Sequence, residues 1–213
     1  EDGRFRSGVI GVGDTPLQLL SSLKDSTNGL AIVGQLDELR VETWQQFFND
    51  FSINTLNSKQ ETDDSMASFA QQLSFVDLFV RDFNVYGEKF SNVNLHIEGD
   101  LDEREWSIGL DSLRLAGTVA IPFDTDDYLR IDLGRLGFQN ETNQSGPMLR
   151  DSNILMERDT DRLALIDPRR LPKLEFSTRE LFFGDKSFGN WKFTINPRES
   201  GASFTDLAFN FRG

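Results

Sequence analysis

VDLFVRDFNVYGEKFSNVNLHI, from Val76 to Ile97, returns in altered form as LEFSTRELFFGDKSFGNWKFTI, from Leu174 to Ile195. Laid side by side without a gap, the two stretches pair Arg81 with Arg179, Asp82 with Glu180, Phe90 with Phe188, Asn92 with Asn190 and Ile97 with Ile195, always 98 residues apart. Each runs on into a third apolar-alternating stretch, Trp106 to Gly117 and Phe204 to Gly213, with Trp106 and Phe204 at the same spacing. The closing glycines are only 96 residues apart, so about two residues are expected to be lost there. Upstream, the match extends to GQLDELRVETW (Gly34–Trp44) and LRIDLGRL (Leu129–Leu136). A repeat of this period indicates one supersecondary unit stacked on itself, because a single unit cannot bury its own apolar face. Function is therefore expected on an extended surface.

Most of the chain alternates apolar and polar residues with a period of two, which places apolar side chains on one face of a strand. Val76, Leu78 and Val80 alternate in this way, as do Val93, Leu95 and Ile97, then Trp106, Ile108 and Leu110. Val119, Ile121 and Phe123 follow, then Leu129, Ile131 and Leu133, then Trp191, Phe193 and Ile195, and finally Leu207, Phe209 and Phe211. Turn chemistry separates the runs at Asn28-Gly29, Tyr86-Gly87-Glu88, Glu98-Gly99-Asp100, Gly184-Asp185 and Asn196-Pro197. The expected fold is mainly β, a one-faced antiparallel sheet of repeated meander units. Helical signals are few. Thr15-Pro16 before LQLLSSL offers a cap and a first-turn proline, Asp64-Ser65 before MASFAQQL is a second candidate, and Thr43–Phe51 is a third. Gln139–Pro147 is polar with Gly and Pro, a loop in which the glycosylation patterns at Asn140 and Asn143 indicate exposure alone.

The chain has 213 residues, enough for a substantial core, and a net charge of −13. That charge opposes nucleic acid and anionic membrane surfaces as partners. Without cysteine, neither disulfides nor thiolate metal sites form. No apolar run approaches the ~18 residues of a membrane-spanning helix. The opening EDGRFRSG has neither an initiator Met nor signal-peptide features, so the chain is expected to be a piece of a longer one. Phenylalanine dominates the aromatic residues, 19 against 2 Tyr and 3 Trp. Phe has no polar tip, so these rings build a purely apolar surface, and each is worth ~1.5–3 kcal/mol when buried. A second sheet, the helices or a lipid-like ligand must cover that surface.

The residues do not point to catalysis. His96, the only histidine, lies between Leu95 and Ile97 and so faces the polar side of its strand. One His and no Cys exclude a Cys–His dyad and a multi-histidine zinc site, and no G-x-S-x-G elbow is present. Carboxylates are abundant, but no spacing singles out a glycosidase pair. Asp124–Asp127 and the Asp159, Asp161 pair begin like calcium loops, but the twelfth positions are Arg135 and Arg170, so the bidentate Glu is missing. The glycines between Gly8 and Gly13 do not match G-x-G-x-x-G. Catalytic, metal and cofactor sites are all expected to be absent.

The cadence of LPKLEFSTRELFFGDKSFGNWKFTINP followed by SFTDLAFNFRG resembles the large periplasmic proteins of Gram-negative bacteria related to AsmA, most closely their YhdP branch. VDLFVRDFNVYGEKFSNVNLHI followed by REWSIGLDSLRLAGTVAIPF repeats that cadence, and NGLAIVGQLDELRVETW extends it over nearly the whole chain. The resemblance implies an inner-membrane-anchored parent whose periplasmic part is a long sheet folded lengthwise into a taco-like groove that conducts phospholipids between inner and outer membranes. Membrane contact would then be made by parts of the parent outside this chain, and envelope proteins are possible partners. The expected organisation is one continuous β-groove: residues 1–33 ending a preceding unit, 34–117 forming unit 1 and 118–213 forming unit 2. The candidate lining is Val93, Leu95, Ile97, Trp106, Ile108 and Leu110 in the first unit and Trp191, Phe193, Ile195, Leu207, Phe209 and Phe211 in the second. The alternative is a non-catalytic β-sandwich that binds or scaffolds envelope components.

Overall fold

The computed structural model describes residues 7–15, 29–43, 72–124, 126–139 and 171–211. Ten strands lie in these segments: β1 (Ser7–Val12), β2 (Gly29–Arg40), β3 (Leu73–Val85), β4 (Glu88–Asp100), β5 (Glu105–Asp111), β6 (Leu115–Pro122), β7 (Leu129–Phe138), β8 (Leu174–Phe183), β9 (Lys186–Arg198) and β10 (Gly201–Asn210). They form one open sheet in sequence order from β1 to β10. The described strands therefore build a single layer and not the two facing sheets of a sandwich.

Six of the nine pairings are antiparallel, as the alternation predicts, but β1–β2, β2–β3 and β7–β8 are parallel. Alternation is the same in both kinds of strand, so the apolar pattern is silent on direction. Parallel neighbours need a long return connection, whereas a hairpin closes in two residues. All three parallel joins span residues outside the described ones. The helix candidates near Leu17–Leu23, Thr43–Phe51 and Met66–Leu73 fall there apart from their end residues, and so do the loop after Gln139 and the Asp159, Asp161 pair. Leu73 is already the first residue of β3.

The repeat appears as topology. β3–β4 and β8–β9 are the matching hairpins, each preceded by a parallel strand (β2, β7) and followed by an antiparallel one (β5, β10), with β6 between the two sets. The first hairpin turns through Tyr86 and Gly87, at φ 48° and 83°, the two positive values of a type I′ turn. The second turns through Gly184 at φ 58°. Ile97 pairs with Ile108, and its counterpart Ile195 pairs with Phe204. The structural equivalent of Phe204 is thus Ile108 and not Trp106. The two lost residues belong to the turn, since Leu101–Arg104 is replaced by the shorter Glu199–Ser200. The divisions at 33/34 and 117/118 fall inside β2 and β6.

Six strands break the two-residue period, three in each unit at matching positions of the repeat. Leu36 and Leu39 in β2, Val80 and Phe83 in β3, and Phe90 and Val93 in β4 pack in one cluster although three residues apart, and each pair brackets two polar residues. Leu133 and Leu136 in β7, Thr178 and Leu181 in β8, and Phe188 and Trp191 in β9 repeat the spacing. Asn92 at φ 56° and Gly189 at φ 70° supply the left-handed turn of the backbone in β4 and β9. Within each unit these doublets lie side by side and form a crease across its three strands.

The crease accompanies a lengthwise fold. Three strand spacings, about 14 Å in a flat sheet, separate β4 from β7. Yet beyond the tip of the short β5–β6 hairpin the Gln139 amide donates to Glu88 Oε1 at 3.1 Å. Arg114 fills the gap between them. Its guanidinium donates to Glu88 Oε1 at 2.9 Å, to Gly137 O at 3.0 Å and to Lys89 O, and sits 5.2 Å over the Phe90 ring. Phe90, Val80, Val93, Leu115 and Leu133 are buried together, so the apolar face is the inside of the curve. A second buried cluster, Leu73, Val76, Trp106 and Phe123, lies toward the other end of the strands.

Gly117 is required where β6 meets β7 at a bulge. Its φ is 147°, and a Cβ would lie 2.3 Å from Asp132 O and 2.6 Å from Leu133 Cα. Gly117→Ala is expected to destabilise the fold by at least ~1–3 kcal/mol, the cost of such backbone strain. Thermal unfolding checks this, with a fall of roughly 2–4 °C expected per kcal/mol in a chain of this size; an unchanged midpoint would refute the close approach.

Candidate functional site

Residues opposite one another in register share a face, and following the pairs across the sheet gives an unbroken apolar row: Ile10, Ile32, Val76, Ile97, Ile108, Val119, Ile131, Phe176, Phe193. It crosses β1 to β9 at right angles to the strands and spans roughly 38 Å at about 4.8 Å per strand. Except for buried Val76 and exposed Ile10, its members are half-buried, and the two buried clusters flank it. A neighbouring row continues through Leu78, Leu95, Leu110, Gly117, Leu133, Thr178, Trp191 and Phe209.

The register puts Val93, Leu95, Ile97, Trp106, Ile108 and Leu110 on this concave face, together with Trp191, Phe193, Ile195 and Phe209. Val93 is fully buried, and Leu95, Trp106 and Ile195 nearly so, whereas Ile97, Ile108, Leu110, Trp191 and Phe193 are half-buried. Leu207, Phe209, Phe211 and also Phe204, at the β10 edge, are each more than half exposed. Alternation alone missed Ile10, Ile32, Val119, Ile131 and Phe176 as members of the same row, because only the strand partners reveal it. It also missed Phe83, Phe90, Phe183 and Phe188, which lie beyond the crease; a three-residue apolar spacing recurring in both repeats was the available signal.

Aromatic rings concentrate in the second unit. Phe176 stacks on Phe193 at 4.8 Å, Phe138 on Phe183 at 4.9 Å and Trp191 on Phe209 at 5.2 Å. Phe183, Phe188 and Phe211 link the last two of these pairs edge to face, at 5.2 and 6.0 Å and on to Trp191 at 5.9 Å. The Trp191 indole N–H donates to Phe188 O at 3.0 Å, leaving only apolar surface toward the groove. The one buried polar side chain in the rows, Thr178, donates to Glu180 O at 3.2 Å.

The opposite face is polar. Asp77, His96, Gly109, Thr118, Asp132, Ser177 and Lys192 form its central row. His96 Nδ1 lies 2.5 Å from Asp77 Oδ1 and Nε2 lies 3.5 Å from Glu98 Oε2, with the Phe75 ring stacked at 6.2 Å. The hydrogen bond to Asp77 raises the His96 pKa, against partial desolvation, and the charges of Asp77 and Glu98 add to the rise. Asp124 serves its turn, accepting from the Asp126 amide at 2.8 Å.

A family model described as YhdP protein matches residues 1–211. No curated protein and no solved structure matches the chain.

A histidine whose folded pKa is raised contributes stability that is complete below its unfolded value, near 6.5, and is lost as pH rises through the folded value. Between about pH 6 and pH 9, the unfolding midpoint is therefore expected to fall more steeply for the parent than for His96→Gln. Parallel curves for the two proteins would show that the Asp77 contact does not favour the charged imidazole.

Proposed function

The chain belongs to the YhdP family of envelope proteins, and from that membership and the apolar row we propose that it is a periplasmic segment of an inner-membrane-anchored protein, carrying phospholipid acyl chains between inner and outer membranes without catalysis. The row from Ile10 to Phe193 carries the proposal. Because it runs across the strands, every added strand lengthens the track at constant cross-section. Aliphatic and aromatic side chains solvate acyl chains through burial of apolar area, with no directional bond to break as a chain advances. The concave rows offer few convergent polar groups, so headgroup selectivity is low and no cofactor is needed. Contact with the membranes belongs to other parts of the parent. A scaffold role for envelope assembly is the second reading, in which the exposed apolar side chains Phe204, Leu207 and Phe209 of β10 contact an envelope protein.

Photocrosslinking side chains at Ile108 and Phe193 are expected to capture lipid from phosphatidylethanolamine vesicles, whereas Thr118 and Lys192 on the polar face are not. Phe193→Asp should remove the label at Ile108 or sharply reduce it while far-ultraviolet circular dichroism keeps its strand signal. Equal labelling of both faces, or of neither, would argue for the scaffold.

A further inference from the structure

The apolar face leaves one repeated feature unused: the polar doublet Arg81-Asp82 of β3 and its copy Arg179-Glu180 of β8. In the first unit Arg81 Nη1 lies 2.9 Å from Asp37 Oδ1 on the neighbouring strand β2. Leu36 and Leu39 bracket Asp37-Glu38 as Leu133 and Leu136 bracket Gly134-Arg135, and Leu36 faces Val80 as Leu133 faces Thr178. Gly134 therefore stands where Asp37 stands. The backbone does not demand a glycine there, since its φ is not positive and a Cβ would meet only Ala116 O at 3.7 Å.

In place of the missing carboxylate lies a depression of about 600 Å³ on the polar face, bordered by Gly134, Arg135, Arg179, Glu180, Asn190 and Asp111. Arg135 is engaged, 3.8 Å from Glu180 and donating to Leu113 O at 3.2 Å. Among the described residues Arg179 has no acidic partner. Across the four doublet positions, unit 1 sets Asp37, Glu38 and Asp82 against Arg81, whereas unit 2 sets Arg135 and Arg179 against Glu180. The balance changes from acidic to basic within a chain of net charge −13.

We infer that this depression is a docking site for one carboxylate of a protein partner, an Asp or Glu on an otherwise uncharged segment, which takes at Arg179 the place that Asp37 holds at Arg81. A carboxylate fits the guanidinium fork, and the Asn190 amide lies on the same wall. Asp111 and Glu180 repel a second acid, and the overall charge opposes an anionic membrane. An exposed pair of this kind is weak and salt-sensitive, so it is read at low ionic strength and high ligand concentration. The inference is independent of the lipid reading.

Nitrogen-15 resonances of the arginine Nε–Hε groups test it, with the protein titrated by acetyl-Ala-Asp-Ala-amide and by its Asn analogue. A selective, salt-sensitive shift is expected at Arg179 with the Asp peptide and not with the Asn analogue, while Arg81 stays silent. Gly134→Asp should abolish the Arg179 response, and Asp37→Gly should create one at Arg81. The inference is overturned if Arg179 is unresponsive, if Arg81 responds equally in the parent, or if the Gly134→Asp protein keeps the response. A stronger response to inorganic phosphate or to phosphatidylglycerol vesicles would overturn it too. Should Gly134→Asp fail to fold, the presence or absence of a new Arg81 response in Asp37→Gly decides.

Discussion

One register governs this molecule: each strand must present its apolar side chains opposite those of the next, on the same face, from one edge of the sheet to the other. A slip of one residue at any pairing would send a whole strand's apolar set to the polar side. The sequence of pairs Ile32, Val76, Ile97, Ile108, Val119, Ile131 shows the condition met through parallel and antiparallel joins alike. Wherever the ladder needs an extra residue, a bulge absorbs it, as between Ala116 and Gly117, and parity is restored on the far side.

The crease follows from the same demand. A sheet whose concave face is wholly apolar must shelter that face from water, and curling it brings strand ends together that lie far apart in the ladder. Curling strands of 10 to 13 residues needs a hinge, and the paired outward residues at Asp37-Glu38, Arg81-Asp82, Gly134-Arg135 and Arg179-Glu180 supply it within each unit. Their charge keeps the convex side wet while Val80 and Val93 beneath are fully buried. Arg114 then closes the ends, its cation set between the Glu88 carboxylate and the Phe90 face. A short β5–β6 hairpin is what leaves room for that closure.

Strand existence and facing were legible because alternation is a local property: Val93, Leu95 and Ile97 declare their side without reference to any partner. Hairpin turns were legible for the same reason, Tyr86-Gly87 and Gly184-Asp185 carrying their own backbone preference. Strand direction was not, since parallel β7–β8 reads like any antiparallel pair. Nor was the alignment of Phe204 with Ile108, because register there is fixed by the length of a turn and not by spacing from the previous repeat. For ten of the groove candidates the face could be read, whereas Leu207 and Phe211 have no ladder partner in the described pairing; the degree of burial could not be read, because it depends on curvature that strands two and three positions away impose.

The two units share a ladder but line it differently. At equivalent positions Leu78 becomes Phe176, Leu95 becomes Phe193, Val93 becomes Trp191 and Val85 becomes Phe183. Aliphatic side chains have no partner preference and gain only by exclusion from water. Rings gain a further ~0.5–1.5 kcal/mol per pair from one another. The stacked and edge-on contacts from Phe138 to Phe211 thus add cohesion between rings in the second unit. The same backbone register therefore carries two linings, largely aliphatic in the first unit and aromatic in the second.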